Sequence, residues 1–396
     1  MSDIKKQIQD RIKAMDRYVS TEGFDSYDPY DGLSSPFSLM LFNSQLLQRV
    51  WQQAIKRSPV NVRSFIGIRK MSHTKTISDF ASAYCLLYHS TRKEDYAVKA
   101  RALLSRLKNM NSKSSQGTAW GLRFKFATRF VTAHADEPNI FQTINAIHSF
   151  LDGYECLGDA SYLPIARDGM DYLINDLGYV ETEQGIYWNY WKSRPVIIYN
   201  VSGLMIGLCA RYGKAVNDKS LDNVTRQLAR YIYASQNEDG SWYYSLNKKG
   251  HFIDGYHTGY ILEGLCRAIN NRVIEIDNNF LKGAEYYLKA FFTENLLPKY
   301  FHNSLNPFDG QVVAQAIQTL YFLRRLQLVP EEIMAGCFVN SDRLLWNALG
   351  YYNYQRTKLL TQKTPMHRWV NGPMFLALSY FFSQLHSYEK SNQHPA

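Results

Sequence analysis

The sequence predicts an all-α (α/α)6 toroid, a six-hairpin barrel, and three observations carry that prediction. Uncharged helical stretches recur about every 60 residues, second helices with a single apolar stripe alternate with them, and strand signals are confined to short extended segments at the mouth. Apolar helices are expected to start near Lys75, Asn139, Ile197, Tyr256, Asp309 and Asn371, at spacings of 64, 58, 59, 53 and 62 residues. Ile197–Arg211 carries no charge before Arg211, and Gly310–Leu323 and Asn371–Tyr388 carry none. A helix apolar all round has to be buried all round. The intervening helices need one buried stripe only; in DKSLDNVTRQLARYIYASQ it is Leu221, Val224, Leu228 and Tyr231.

Ahead of this series, residues 3–18 read as a helix, followed by the loop GFDSYDPYDGLSS, where Pro29 and Gly32 oppose regular structure. Ser35-Pro36 opens a helix to about Lys56, and 60–70 is a connection. The expectation is one domain over 1–396, with the helices and loop of 1–70 packed on a ring formed by 71–390. GIYWNY (185–190) and VIIY (196–199) are the extended candidates. Asp25, Asp28 and Asp31 lack the alternation and the bidentate Glu of a calcium loop, so they read as loop and capping residues.

Composition narrows the partners. The net charge of +10 favours an anionic one, and the cations are dispersed without a basic arm, so nucleic acid is not indicated. The 29 tyrosines combine a flat apolar face with a polar tip, which suits sugar rings as well as a core. The five cysteines lie far apart in apolar helical stretches, as buried thiols do. Scattered histidines give no metal-ligand spacing, and no cofactor is implied. No uninterrupted apolar run of membrane length occurs, so no membrane span is expected, while peripheral membrane association is compatible with the charge. The charged amphipathic N-terminus is unlike a signal sequence, and the expected location is cytoplasmic.

In a toroid the inner helices begin at one end, so the loops before them pool their side chains. Those loops carry Trp120; Trp188, Tyr199 and Asn200; Asp239, Trp242, Tyr244, Asp254, Tyr256 and His257; Tyr300, Phe301, His302 and Asp309; and His367, Arg368 and Trp369. Aromatic faces take pyranose rings, while amides and charges fix hydroxyls and carboxylates. Plainer roles compete. Gln236, Gly240 and Trp242 form a Gln-x-x-x-Gly-x-Trp pattern that staples helix ends, and Asp254 and Asp309 stand where N-caps stand. His257 at a helix start has its cationic form disfavoured by the helix dipole, and a neutral imidazole there can act as a base.

SQNEDGSWYY…FIDGYHTGYILEGL, the early YDPYDGL and the late RWVNGPMFLAL resemble proteins of bacterial capsule, exopolysaccharide and O-antigen biosynthesis clusters. That resemblance implies a six-hairpin toroid in a polysaccharide pathway. The crossing loop is more distantly similar to the C-terminal domain of glucuronyl C5-epimerases. The Gln-x-x-x-Gly-x-Trp element is also similar to the repeat of squalene and terpene cyclases, whose Asp-rich acid motif is not evident here.

The favoured expectation is an enzyme acting on an acidic oligo- or polysaccharide, free or lipid-linked, by C5 proton abstraction from a uronic acid, as an epimerase or lyase. Arg368, His302 and Asn200 are the candidates to hold the carboxylate, His257 or Tyr256 the base, and Tyr260 or Tyr199 the acid. Trp120, Trp188, Trp242 and Trp369 are candidate sugar platforms. A glycoside hydrolase would use two of Glu238, Asp239, Asp254 and Asp309. A non-catalytic glycan-binding protein needs only the aromatic mouth and the basic charge.

Overall fold

Thirteen α-helices order the chain in a computed structural model that describes residues 2–41, 44–112, 114, 116–192 and 194–393. The helices are α1 (Ser2–Glu22), α2 (Gln45–Arg57), α3 (Thr74–Thr91), α4 (Glu94–Asn109), α5 (Ile140–Leu157), α6 (Tyr162–Asp171), α7 (Tyr199–Val216), α8 (Ser220–Ala234), α9 (Gly255–Asn270), α10 (Asn278–Ala290), α11 (Gly310–Arg325), α12 (Glu331–Leu345) and α13 (Gly372–Gln393). The odd-numbered helices from α3 to α13 are the predominantly apolar ones, and they start within two residues of the expected positions. The fold class is the (α/α)6 toroid.

Local chemistry explains the boundaries. Asn139, Asp254 and Asp309 cap α5, α9 and α11, their side chains accepting from Gln142, His257 and Gln311 N–H at 3.0, 2.9 and 2.8 Å. α7 begins two residues later than the periodicity suggested. Its approach is pulled into a three-stranded antiparallel sheet of Tyr179–Thr182, Gly185–Trp191 and Arg194–Ile197. The helix expected from Pro36 to Lys56 is divided into a 3-10 segment, Pro36–Leu41, and α2.

The chain separates into two compact units, one of Met1–Gly169 with Leu344–Ala396 and one of Met170–Arg343. The division falls inside α6 and near the end of α12. In the first unit α3 packs between α13 and α5, with α4 and α1 outside them. In the second, α9 packs between α7 and α11, with α8 and α10 outside.

Three tryptophans repeat one device. Trp120 Nε1 donates to Leu107 O, Trp188 Nε1 to Leu173 O and Trp242 Nε1 to Ile232 O, at 2.9, 2.8 and 2.8 Å. Leu107 and Ile232 stand in the last turns of α4 and α8, and Leu173 in the π-helical end of α6; each carbonyl already accepts a backbone N–H, from Met110, Ser235 and Gly178 respectively, and the indole takes its second lone pair. Each indole thus fastens the end of an outer helix to the loop that follows. Around Trp242, Gln236 Nε2 bonds the carbonyls of Gly240 and Asn279, both at 3.0 Å, tying α8 to α10. A side chain on Gly283 would run into the Trp242 ring at 2.3 Å.

The α7–α9 crossing is closer still, because a Cβ on Gly264 would lie 1.8 Å from the carbonyl oxygen of Gly203. Replacing Gly264 by Ala is expected to lower unfolding stability by about 3 kcal/mol, since only backbone displacement can relieve that overlap. Denaturant titration of the two proteins checks it, and an unchanged midpoint refutes the close crossing.

Candidate functional site

The second unit gathers chemistry at the N-terminal ends of α7, α9 and α11. A hairpin leads into α9, closed by Tyr244 N–H donating to Phe252 O at 2.9 Å. Across it Tyr243 stacks on His251 (4.3 Å between centroids, 5° between planes) and Tyr244 stacks on Phe252 (4.9 Å, 22°). Tyr199 N–H donates to Tyr244 O at 3.2 Å, which fixes the start of α7 to the hairpin. Gly255 N–H donates to Tyr300 O at 2.9 Å, which fixes the loop before α11 to the start of α9.

His257 stands in the first turn of α9 between two aromatic rings, Tyr244 at 4.4 Å and Tyr256 at 4.0 Å. Asp254 divides its oxygens: Oδ1 caps the helix through the His257 N–H, and Oδ2 meets His257 Nδ1 at 2.6 Å. The carboxylate is wholly buried, whereas 17% of the imidazole side chain is exposed. A carboxylate is an obligate acceptor, so Nδ1 carries the hydrogen, and in the neutral ring the lone pair is on Nε2. Nε2 has no hydrogen-bond partner among the described residues. The result is an oriented imidazole with its basic nitrogen presented and its other side held.

Tyr256 contacts Tyr300 edge-on at 5.6 Å and Tyr260 at 6.3 Å. Tyr260 Oη accepts from Gln311 Nε2 at 2.8 Å. Deeper between α9 and α11, Gln315 Nε2 donates to Glu263 Oε2 at 3.0 Å, and Glu263 Oε1 pairs with Arg267 at 2.9 Å. Burial raises the Tyr199 pKa against a smaller opposite effect of Ser235, so Tyr199 stays protonated. Asn200 Oδ1 is buried in the first turn of α7 with no hydrogen-bond partner among the described residues. His302, in the loop before α11, faces the loop before α9, its Nδ1 lying 3.4 Å from Ile253 O.

Several expected site residues have other tasks. Trp120, Trp188 and Trp242 are at most 1% exposed and hold helix ends, so none offers a face to a sugar. Asp239 serves its own turn, accepting from Ser241 N and Oγ at 3.0 and 2.6 Å. Arg368, in the first unit, makes a bidentate pair with Asp28, Nε to Oδ2 at 2.5 Å and Nη2 to Oδ1 at 2.7 Å. Burial pushes the Asp28 carboxyl up, but the charge and hydrogen bonds of Arg368 more than offset this and hold it below the usual carboxylate range. The guanidinium is thereby neutralised before any substrate arrives. Trp369 packs edge-on against Tyr30 at 5.3 Å, with Lys56 over it at 5.6 Å. Among the described residues, no group of three His, Cys, Asp or Glu is placed to hold a metal.

Gln311, Gln315 and Glu263 were not among the expected site residues. Their signal was present: glutamines four apart on an otherwise apolar helix opposite a lone carboxylate on the next inner helix.

The first unit also buries two imidazoles, His73 and His367, both pushed down to about 4, by burial first. The charges of Arg368 and Arg123 assist at His73 against Asp28, and those of Lys70 and His73 assist at His367. The folded pKa lies below the unfolded value near 6.5, so the unfolded chain takes up these protons first. Their contribution is complete above about pH 6.5 and lost as pH falls toward 4, at about 3 kcal/mol per imidazole. Denaturant midpoints should therefore drop between about pH 7 and pH 5, and drop much less in a His73→Leu/His367→Leu variant. Equal slopes in the two proteins would contradict this.

No family model matches the chain, and no curated protein matches it. Solved structures do. A polysaccharide lyase superposes with a TM-score of 0.59 at 11% identity, covering 98% of both chains. The cellobiose 2-epimerase of Bacillus thermoamylovorans superposes at 0.63 with 10% identity, covering 79% of this chain and 88% of the other. A family 76 glycoside hydrolase from a bovine Bacteroides thetaiotaomicron strain superposes at 0.61 with 11% identity, covering 80% and 69%. At such identities the likeness establishes the shared fold.

Proposed function

We propose that the chain is a carbohydrate-active enzyme that removes a proton from a sugar carbon, with His257 as the base. The observation that carries this reading is the Asp254–His257 pair at the start of α9, which orients Nε2 as an acceptor between the half-buried ring of Tyr244 and the buried ring of Tyr256. The shared scaffold includes a lyase, an epimerase and a hydrolase, so the scaffold alone does not choose among them. The carboxylates argue against hydrolysis. Asp254 and Asp309 are buried caps, and the two exposed carboxyls, Glu238 and Asp239, are neighbours in one turn where Ser241 holds Asp239, not a pair set on opposite sides of a sugar.

The preferred substrate is a uronic-acid-containing glycan of a polysaccharide biosynthetic system, consistent with the net charge of +10. Its carboxylate acidifies the C5 proton. His257 takes that proton, and Asp254 stabilises the imidazolium that forms. Tyr260 is the candidate acid: the Gln311 amide donating to its oxygen makes the phenol a better proton donor. Return of a proton to the opposite face is epimerisation, and loss of the C4 substituent is elimination. Both begin at His257.

Incubation with uronic-acid polysaccharides in deuterated water tests the reading. Mass gain without cleavage marks an epimerase, and an unsaturated, ultraviolet-absorbing product marks a lyase. Reducing ends released without either would overturn proton abstraction in favour of hydrolysis. On the active substrate, His257→Ala is expected to lower kcat by about 10^3-fold, and Asp254→Asn by about 10- to 100-fold through loss of ring orientation. An unchanged kcat in His257→Ala removes the proposed base.

A further inference from the structure

The exposed apolar side chains are concentrated in two short stretches. Of seventeen large ones among the described residues, eight lie between Phe37 and Phe65, and two more are Leu359 and Leu360. Both stretches belong to the first unit. Gln362 Nε2 joins them by donating to the carbonyl oxygens of Ser58 at 2.5 Å and Lys56 at 3.5 Å. Ser35 Oγ donates to Ile66 O at 2.6 Å, so the 3-10 segment carrying Phe37 is tied to the turn carrying Phe65.

α2 lies with its polar stripe inward. Gln48 and Gln52 are buried; Gln52 exchanges hydrogen bonds with the backbone of Ala127, both at 3.1 Å, and Gln48 accepts from Thr132 at 3.3 Å. Leu46, Leu47 and Val50 consequently point outward at 69, 46 and 58% exposure. A globular protein gains nothing from that orientation in water alone. Leu359 and Leu360 form the tip of a hairpin whose turn is closed by Thr357 N–H donating to Leu360 O at 2.8 Å.

Charge distinguishes this surface further. No Asp or Glu occurs between Asp31 and Asp79, or between Asp342 and Glu389. The buried cations Arg63, Lys75 and Arg368 are paired with Asp31, Asp79 and Asp28. The exposed ones, Arg57, Arg69, Lys70, Arg356 and Lys358, have no carboxylate within their own stretches.

We propose that this face docks on an anionic membrane surface, with the outward side chains of α2 and the Leu359–Leu360 tip entering the headgroup layer and the exposed cations meeting lipid phosphates. Protruding apolar tips on stretches whose exposed charges are all cations suit a bilayer interface. A second copy of the same face would bring like charges together, and a nucleic acid would give the leucines no apolar contact. The inference is independent of the reaction assigned to His257.

The test is cosedimentation of the full chain with vesicles of phosphatidylcholine alone and with roughly 30% phosphatidylserine added. Binding is expected to the anionic vesicles and to weaken with salt. Leu46→Glu/Leu47→Glu and Leu359→Glu/Leu360→Glu should each reduce the partition coefficient at least about tenfold, and Val98→Glu, exposed elsewhere in the first unit, should leave it unchanged. Circular dichroism verifies folding of each variant, and quenching of wild-type tryptophan fluorescence by brominated lipid gives a readout that needs no variant. Absence of binding to anionic vesicles, or binding insensitive to both the leucines and the lipid charge, overturns the proposal. Concentration-dependent self-association removed by the same substitutions, without vesicle binding, also overturns it and assigns the face to contact between copies.

Discussion

An uncharged helix buried on every side still begins with backbone N–H groups that no turn of its own can satisfy, and this constraint shapes the chemistry of the chain. Three of the inner helices, α5, α9 and α11, meet one of those donors with a capping side chain, which puts polar groups at their first residues. Asn139, Asp254 and Asp309 do this work. Asp254 is the instructive one, because a carboxylate has two oxygens and the cap uses one. The other is left in a buried setting where it needs a donor, and the first turn supplies the imidazole of His257. Capping and orientation of the ring are one arrangement, so the stability of α9 and the readiness of the base are linked through a single side chain.

The aromatic residues divide by the same logic. An indole N–H buried without a partner is costly, and the carbonyls at the ends of the outer helices keep a lone pair beside the one their backbone bond uses. Trp120, Trp188 and Trp242 place their N–H there and are consumed by doing so. Half-exposed rings take over the outward role: Tyr244 stacked on Phe252, and Tyr300 at the edge of Tyr256. Their mutual stacking costs little conformational entropy, since each has only two side-chain torsions. A rigid aromatic wall beside an oriented imidazole follows from local geometry around α9.

The helix series was legible because its signal is one-dimensional. Long apolar stretches recurring about every 60 residues force burial, and the six starts lie within two residues of where that recurrence puts them. Pairings between distant residues were not legible. Arg368 and Asp28 lie 340 positions apart, and nothing near either residue announces the other. Arg368 in isolation therefore read as an available cation. Trp242 showed both its possible roles, as a platform and as a staple, and only the position of Ile232 O relative to its Nε1 decides between them. For Asp254 the alternatives, cap or functional carboxylate, were not exclusive. The outward leucines of α2 were hidden by the ordinary expectation that apolar residues face inward, although the long runs without Asp or Glu on either side of them were visible in the sequence.

The central claim is that Asp254 holds His257 as the tautomer with hydrogen on Nδ1 and a lone pair on Nε2. Long-range 1H–15N correlation spectra of the 15N-histidine-labelled protein at neutral pH report this directly. The arrangement described here predicts a protonated Nδ1 and an unprotonated Nε2 for His257, with that preference lost in Asp254→Asn. Hydrogen on Nε2, or a ring averaging between tautomers in the native protein, would contradict it.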